Sequence, residues 1–259
     1  MRIYNSDVTD EQWNVLLPHL VKKKRRGPKS RQDLRRVVNA IFYRLRTGCQ
    51  WRMLPKEYGN WEPIYGYWYR WSKNGLWEKL NTQLREALRI KAGRKAQPTA
   101  AVIDSQSVKT VQKRGQIGYD AGKLTKGRKR HIAVDTLGLL LCVIIHSAGV
   151  QDRDGAMMLI SRLSHRFSLL KHIWVDGAYA GELVTWVYSV LGWTLEVVKR
   201  SDTLKKIIVL PRRWVVERTF AWLCNYRLNA KDYCHSTKCS EAAIYAASVN
   251  LMLRRIYPK

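Results

Sequence analysis

Along the first ~95 positions, apolar side chains recur at helical spacing. Trp13, Leu16, Leu17 and Leu20 follow "TDEQW", where Thr9 and Gln12 form a capping-box pattern that satisfies donors at a helix start. The basic turn "KKKRRGPKS", broken by Gly27 and Pro28, separates this from a second predicted helix over residues 31–46. Leu34, Val37, Val38, Ile41 and Leu45 share one side of that helix, and Gly48 is its stop. Residues 51–77, "WRMLPKEYGNWEPIYGYWYRWSKNGLW", carry nine aromatics. Most are expected to fill a small helical core. A helix over 63–73 also offers a second reading, as a segment presented to a nucleic-acid groove with Arg70 and Lys73 near phosphates.

The pattern changes after "RIKAGRKAQPTA" (89–100), a basic stretch of small residues that reads as a linker. "AAVID" is a short apolar run ending in an acid. "RKRHIAVD" and "LLLCVIIHSAG" are β-rich runs joined by "TLG", the pattern of a hairpin. A helix is predicted over 153–170. "HIWVDGAYAG" is another apolar run ending in an acid; "ELVTWVYSVLG" reads as a helix and "WTLEVVKR" as a strand. A long helix is predicted over 211–231. This order predicts an α/β fold with a mixed sheet flanked by helices, preceded by a small all-helical domain. The division is 1–95 and 96–259.

Composition narrows the partner. The chain has 259 residues and is 46% hydrophobic, which is globular. Lys plus Arg number 47 against 20 acids, a formal charge of +27. Such an excess points to a polyanion, with nucleic acid first. "MRIYNSDVTDEQW" has no apolar signal region, and the run "LGLLLCVII" is too short to span a bilayer, so no membrane role is expected. Five scattered cysteines suit a reducing cytoplasm. No second ligand pair answers "CHSTKC", so zinc is not expected.

Three acids stand out. Asp104 and Asp176 each end an apolar run and begin a loop. If the two strands are parallel neighbours, both carboxylates emerge at one sheet edge, where α/β proteins gather ligands. Two carboxylates that close conflict unless a divalent cation joins them. Glu217 is the lone acid in the basic stretch 205–231. It lies at the margin of the apolar arc of Val216, Phe220 and Leu223, on the side of Arg213. A helix salt bridge with Arg213 is the plain alternative for it. Asp135 reads as turn chemistry and Asp154 as a helix cap. Asp120 lies in "GYDAGKLTKGRKRH", a basic loop expected to meet phosphates through Lys126, Arg128, Lys129 and Arg130.

At these residues the chain resembles the DDE transposases of bacterial insertion sequences, in the insertion-sequence-five group. "TDEQW", "VVNAIFYRLRTGCQWRMLPKEYGNW" and "YWYRW" resemble the helical N-terminal domain. "IDSQSVKT", "GYDAGKLTKGRKRHIAVDTLGLLL", "VQDRDGA", "VDGAYAG", "RRWVVERTFAWL" and "YRLNAKDY" resemble the catalytic blocks. The resemblance implies an RNase H-like catalytic domain with a helix-turn-helix-like DNA-binding domain before it. It implies two Mg2+ ions, replaceable by Mn2+, held by Asp104, Asp176 and Glu217. The implied reaction nicks the element's ends and joins the freed 3′-hydroxyls to target DNA. The implied partner is double-stranded DNA, as terminal inverted repeats and target, with a homodimer on DNA in the bacterial cytoplasm. Relatives carry a Tyr, Arg, Glu, Lys signature; here Arg213 matches, Leu210 and Cys224 do not, and Lys231 is expected to take the phosphate role. A DNA-binding protein without catalysis and a nuclease that does not join strands are the other readings.

Overall fold

The computed structural model describes residues 3–21, 33–111, 115–198 and 213–258. The basic turn 22–30, Arg31, Leu210 and the predicted helix start at 211 lie outside them. Helix α1 (Asp10–Leu20) begins with the anticipated capping box: the Gln12 amide N–H donates to Thr9 Oγ1 at 3.3 Å, and the Thr9 N–H donates to Gln12 Oε1 at 3.2 Å. Helix α2 (Leu34–Thr47) is capped by Asp33 and ends at Gly48, whose φ of +73° is the left-handed stop a glycine accepts without strain. Helices α3 (Trp61–Lys73) and α4 (Leu76–Lys91) follow. Ile64, Trp68, Trp71 and Trp77 are buried, so these large side chains do fill a core, each contributing about 1.5–3 kcal/mol or more of burial.

Among the described residues six strands form one sheet: β1 (Ala100–Lys109), β2 (Gly118–Asp120), β3 (Thr125–Val134), β4 (Leu140–Ser147), β5 (His172–Val175) and β6 (Thr194–Val197). Strands β3 and β4 are the anticipated hairpin. β3 also pairs antiparallel with β1 and with short β2, while β5 runs parallel to β1, and β6 parallel to β5. The order β4-β3-β1-β5-β6, with three antiparallel strands followed by two parallel additions, is the expected RNase H-like mixed sheet.

Alternation along the strands sorts side chains onto two faces. Ala101, Ile103, Ile173 and Val175 pack under helices α5 (Asp152–Ser164) and α6 (Glu182–Leu191). Val102, Ile132, Val134 and Trp174 face helices α7 (Trp214–Cys224) and α8 (Thr237–Ile256). The core of α1–α4 is continuous with this second layer. Buried Asn81 on α4 donates to the Leu140 carbonyl of β4 at 2.9 Å and accepts from Ser248 on α8 at 2.8 Å, joining all three elements.

Three expectations are corrected. The run at 100–104 does not stop at Asp104; it continues to Lys109 because β3 pairs along its whole length, down to Lys109↔Gly127. The predicted 211–231 helix ends at Cys224. There the chain turns so that Tyr226 is buried, its hydroxyl donating to Asn250 at 2.8 Å, before a single 3₁₀ turn over Arg227–Asn229. Lys231 is therefore not on the helix of Glu217. Asp154 lies within α5, whose N-cap is Gln151.

Candidate active site

The parallel register of β1 and β5 sets the geometry. Ala100 pairs with His172 and Val102 with Trp174, an offset of 172 − 100 = 72. Continued two residues, the same offset brings Asp104 level with Asp176, since 104 + 72 = 176. By alternation Asp104 lies on the side of Val102 and Asp176 on the side of Trp174. Both are on the face that α7 covers, and α7 packs against β1 and β3.

Each aspartate is held by backbone. Asp104 Oδ1 accepts from the Ser105 N–H at 2.7 Å. Asp176, in extended conformation, caps the turn Gly177–Tyr179, with Oδ1 accepting from the Ala178 N–H at 3.0 Å. Burial pushes the Asp104 carboxyl up to about 6, and the nearby charge of Asp176 adds to the rise; the Ser105 N–H, Arg213 and Lys123 oppose it. Arg213, at the start of α7, reaches both other acids: its Nη2 lies 3.7 Å from Asp176 Oδ2 and 3.4 Å from Glu217 Oε1. The Glu217 side chain is 54% exposed. The far end of α7 also lies along β1, where Gln106 Nε2 donates to Cys224 Sγ at 3.6 Å.

The structure thus brings Asp104, Asp176, Arg213 and Glu217 to one face. Among the described residues, no three His, Cys, Asp or Glu side chains are gathered closely enough to hold one metal ion. Glu217 instead turns its carboxylate to Arg213. The donor set nevertheless fits a hard divalent cation. All donors are carboxylate oxygens, two of them level on adjacent strands in mutual repulsion, and a cationic guanidinium already bridges two of the three. Exposed Glu217 has room to exchange Arg213 for an ion.

The basic candidates divide sharply. Arg70, Lys73, Lys126 and Lys231 are exposed. Arg128, Lys129 and Arg130 are buried, which corrects their expected role at phosphates. Arg128 pairs with Asp232 at 3.2 Å and donates to the carbonyls of Cys234 and His235, each at 2.8 Å. Lys129 lies 2.8 Å from Asp152 and 3.2 Å from Asp120. Arg130 donates to the Asn229 carbonyl at 2.6 Å. Against its burial, Asp120 is held down to about 2 by hydrogen bonds from Ser107 and the Lys123 N–H and by Lys129. Asp135 is structural: it accepts from the Leu137 and Leu139 N–H groups in the hairpin and pairs with Arg89. Sequence reasoning missed Lys123, whose Nζ donates to Ser105 Oγ at 2.8 Å beside Asp104. No spacing rule carries a residue of the β2–β3 turn to β1, so no local signal pointed to it.

Fold and site together define an RNase H-like α/β protein with two level aspartates on the sheet face beneath a helix that carries Glu217 and begins at Arg213. Comparison with known proteins makes this specific. Residues 95–251, more than half of the chain, match the family model "Transposase DDE domain", and residues 8–81 match "Putative transposase of IS4/5 family". The chain belongs to the DDE transposase family and is an insertion-sequence transposase. Family membership brings dependence on a divalent metal and DNA as partner. A similar relative is the "Insertion element IS402 uncharacterized 16.2 kDa protein" of Burkholderia cepacia, 33% identical over 119 residues, spanning 42% of this chain and 79% of that protein. Another is "Uncharacterized protein y4sN" of Sinorhizobium fredii, 32% identical over 82 residues, spanning 30% of this chain and 63% of that protein. Among solved structures, the catalytic core domain of BIV integrase is 18% identical, with TM-score 0.37 over 59% of this chain and 82% of that chain. The Mos1 mariner paired end complex with Mn is 13% identical, with TM-score 0.24 over 95% of this chain and 84% of that chain. Among the described residues no helix is long and apolar enough to cross a membrane.

Proposed function

We propose that Asp104, Asp176 and Glu217 are the catalytic carboxylates, and that they hold two Mg2+ ions, with Mn2+ able to substitute. The observation that carries this is the register: the β1/β5 offset brings the two aspartates level on the face where α7 presents Glu217. The bound cations would supply activation of the attacking water or hydroxyl and offset of charge on the leaving oxygen. The chain's own residues do the positioning. The Ser105 and Ala178 N–H groups fix one oxygen of each aspartate, and the second oxygen of Asp176 faces Arg213, which a cation would have to displace. With a pKa near 6, Asp104 is mainly ionised at neutral pH. Arg213, once released by Glu217, is placed to pair with a phosphate in a charge-assisted contact.

On this reading residues 1–95 bind the element's terminal repeats, and 96–259 cut the DNA and join the 3′-hydroxyls to target. Arg70 and Lys73 on α3, Lys126 on β3 and Lys231 after the 3₁₀ turn meet phosphates, and a homodimer holds paired ends in the cytoplasm. The test is a Mg2+-dependent cleavage and joining assay on DNA carrying the element's own ends, with wild type beside Glu217→Gln. Wild-type activity, none in the variant, and end binding in both is the expected result. Equal activity in both would return Glu217 to a helix salt bridge with Arg213.

A further inference from the structure

The helix α3 carries a feature that the catalytic account does not use. Trp61, Tyr65 and Tyr69 follow one another at four-residue steps, one helical turn each, and so share a stripe. Their ring centroids are 6.4 Å apart for Trp61–Tyr65 and 6.5 Å for Tyr65–Tyr69. Tyr65 is 43% exposed and Tyr69 53%. The buried rings of the same helix, Trp68 and Trp71, point into the core, so the stripe is a second face with a different partner. Cations close both ends: the Arg52 guanidinium lies 5.6 Å from the Trp61 ring and Lys73 Nζ lies 5.6 Å from the Tyr69 ring.

Single exposed rings on a protein surface need no explanation. Two exposed tyrosines in line with the half-buried Trp61, one of them braced edge-on by Trp51, with cations at both ends, are the composition of a nucleic-acid stacking platform, in which rings take base faces and cations take the backbone. The geometry also selects the form of the nucleic acid. In a duplex each base face is covered by its neighbours, and only groove edges and phosphates are offered to a helix. An exposed ring finds a matching face on an unpaired base. The rings are tilted to one another, by 57° for Trp61–Tyr65 and 32° for Tyr65–Tyr69, so they are not a closed stack and each exposed tyrosine offers its own face to a base of a drawn-out strand.

We infer that the Trp61–Tyr65–Tyr69 stripe of α3 is a binding site for unpaired nucleotides, by stacking, with Arg52 and Lys73 on the backbone of that strand. The inference rests on the reading of the chain as a DNA-acting transposase and adds to it a single-strand site distinct from the acidic cluster.

The test compares full-length wild type, Tyr65→Ala/Tyr69→Ala and Tyr65→Phe/Tyr69→Phe by fluorescence anisotropy at one salt concentration. The probes are a labelled oligothymidylate and a blunt duplex of the same length; circular dichroism melts confirm folding. Loss of single-strand affinity by about tenfold or more in the alanine variant is expected, from the usual worth of one or two stacked bases. Duplex affinity should stay within about twofold, and the phenylalanine variant should match wild type on both probes. Unchanged oligothymidylate binding in the alanine variant overturns the inference, as does an equal loss on both probes, which would make the stripe a duplex contact. A wild type that binds duplex but not oligothymidylate overturns it while leaving the transposase reading intact; one that binds neither removes the DNA reading as well.

Discussion

In the metal-free protein, replacing Asp104 by asparagine is expected to raise stability at neutral pH. The carboxyl is held at about 6 against an ordinary 3.8, first because it is buried and then because Asp176 repels its charge. The folded pKa lies above the unfolded one, so the stabilising proton is fully present below about pH 3.8 and is lost as pH rises through about 6. Above that range the folded state carries a carboxylate disfavoured by up to 2.2 × 1.36, or about 3 kcal/mol. Asparagine is of equal size, stays neutral, and keeps an oxygen to accept the Ser105 N–H. With about 2–4 °C of melting temperature per kcal/mol for a chain of this size, Asp104→Asn should melt higher by up to about 6–12 °C in EDTA near pH 7.5, and the gap should narrow towards about pH 5. Adding Mg2+ or Mn2+ should raise the wild-type melt and leave the variant nearly unmoved. A variant that melts below wild type in EDTA, or a gap that does not change with pH, would refute the argument that Asp104 is a strained carboxylate waiting for a cation.

Other expectations follow from named side chains. Arg128→Ala should destabilise the fold by about 3–5 kcal/mol in denaturant titrations, because it strands Asp232 in the core; Lys126→Ala should instead leave stability alone and lower the salt dependence of DNA binding by about one phosphate. Gly155→Ala places a Cβ 2.3 Å from His131 Nε2 and 2.5 Å from His146 Nε2, so α5 must lift from the sheet at about 1–3 kcal/mol; an unchanged melt would contradict that packing. Arg213→Ala removes a cation that competes for Asp176 and Glu217, so Mn2+ binding by the free protein, read by calorimetry, should tighten by roughly fivefold for each ion pair removed.

Much of this was legible in the chain. The capping box at Thr9, the Gly48 stop, the "TLG" hairpin and the alternating order of strands and helices are local signals, and local geometry honoured them. The in-register aspartates were legible in part: the two acid-ending apolar runs pointed to them, but their level placement depends on a β1/β5 pairing that spans 72 residues. What stayed hidden depends on distant partners. The charges of "RKR" read as phosphate contacts, whereas Arg128 meets Asp232 from 104 positions away and Lys129 meets Asp152. Helix α8 was not anticipated because it is buried on most sides, with Ala242 to Val249 all in the interior, so no polar face marks its period. The break after Cys224 has no proline or glycine to announce it; it comes from the pull of Tyr226 into the core.

The central claim is that Asp104, Asp176 and Glu217 together hold the divalent ions. The most direct measurement is an electron paramagnetic resonance titration of Mn2+ into the protein bound to DNA carrying the element's ends, for wild type, Asp104→Asn, Asp176→Asn and Glu217→Gln. The account predicts two tightly bound ions per catalytic site in wild type, and weakened or lost occupancy in each variant while DNA stays bound. Equal Mn2+ occupancy in wild type and all three variants would contradict it.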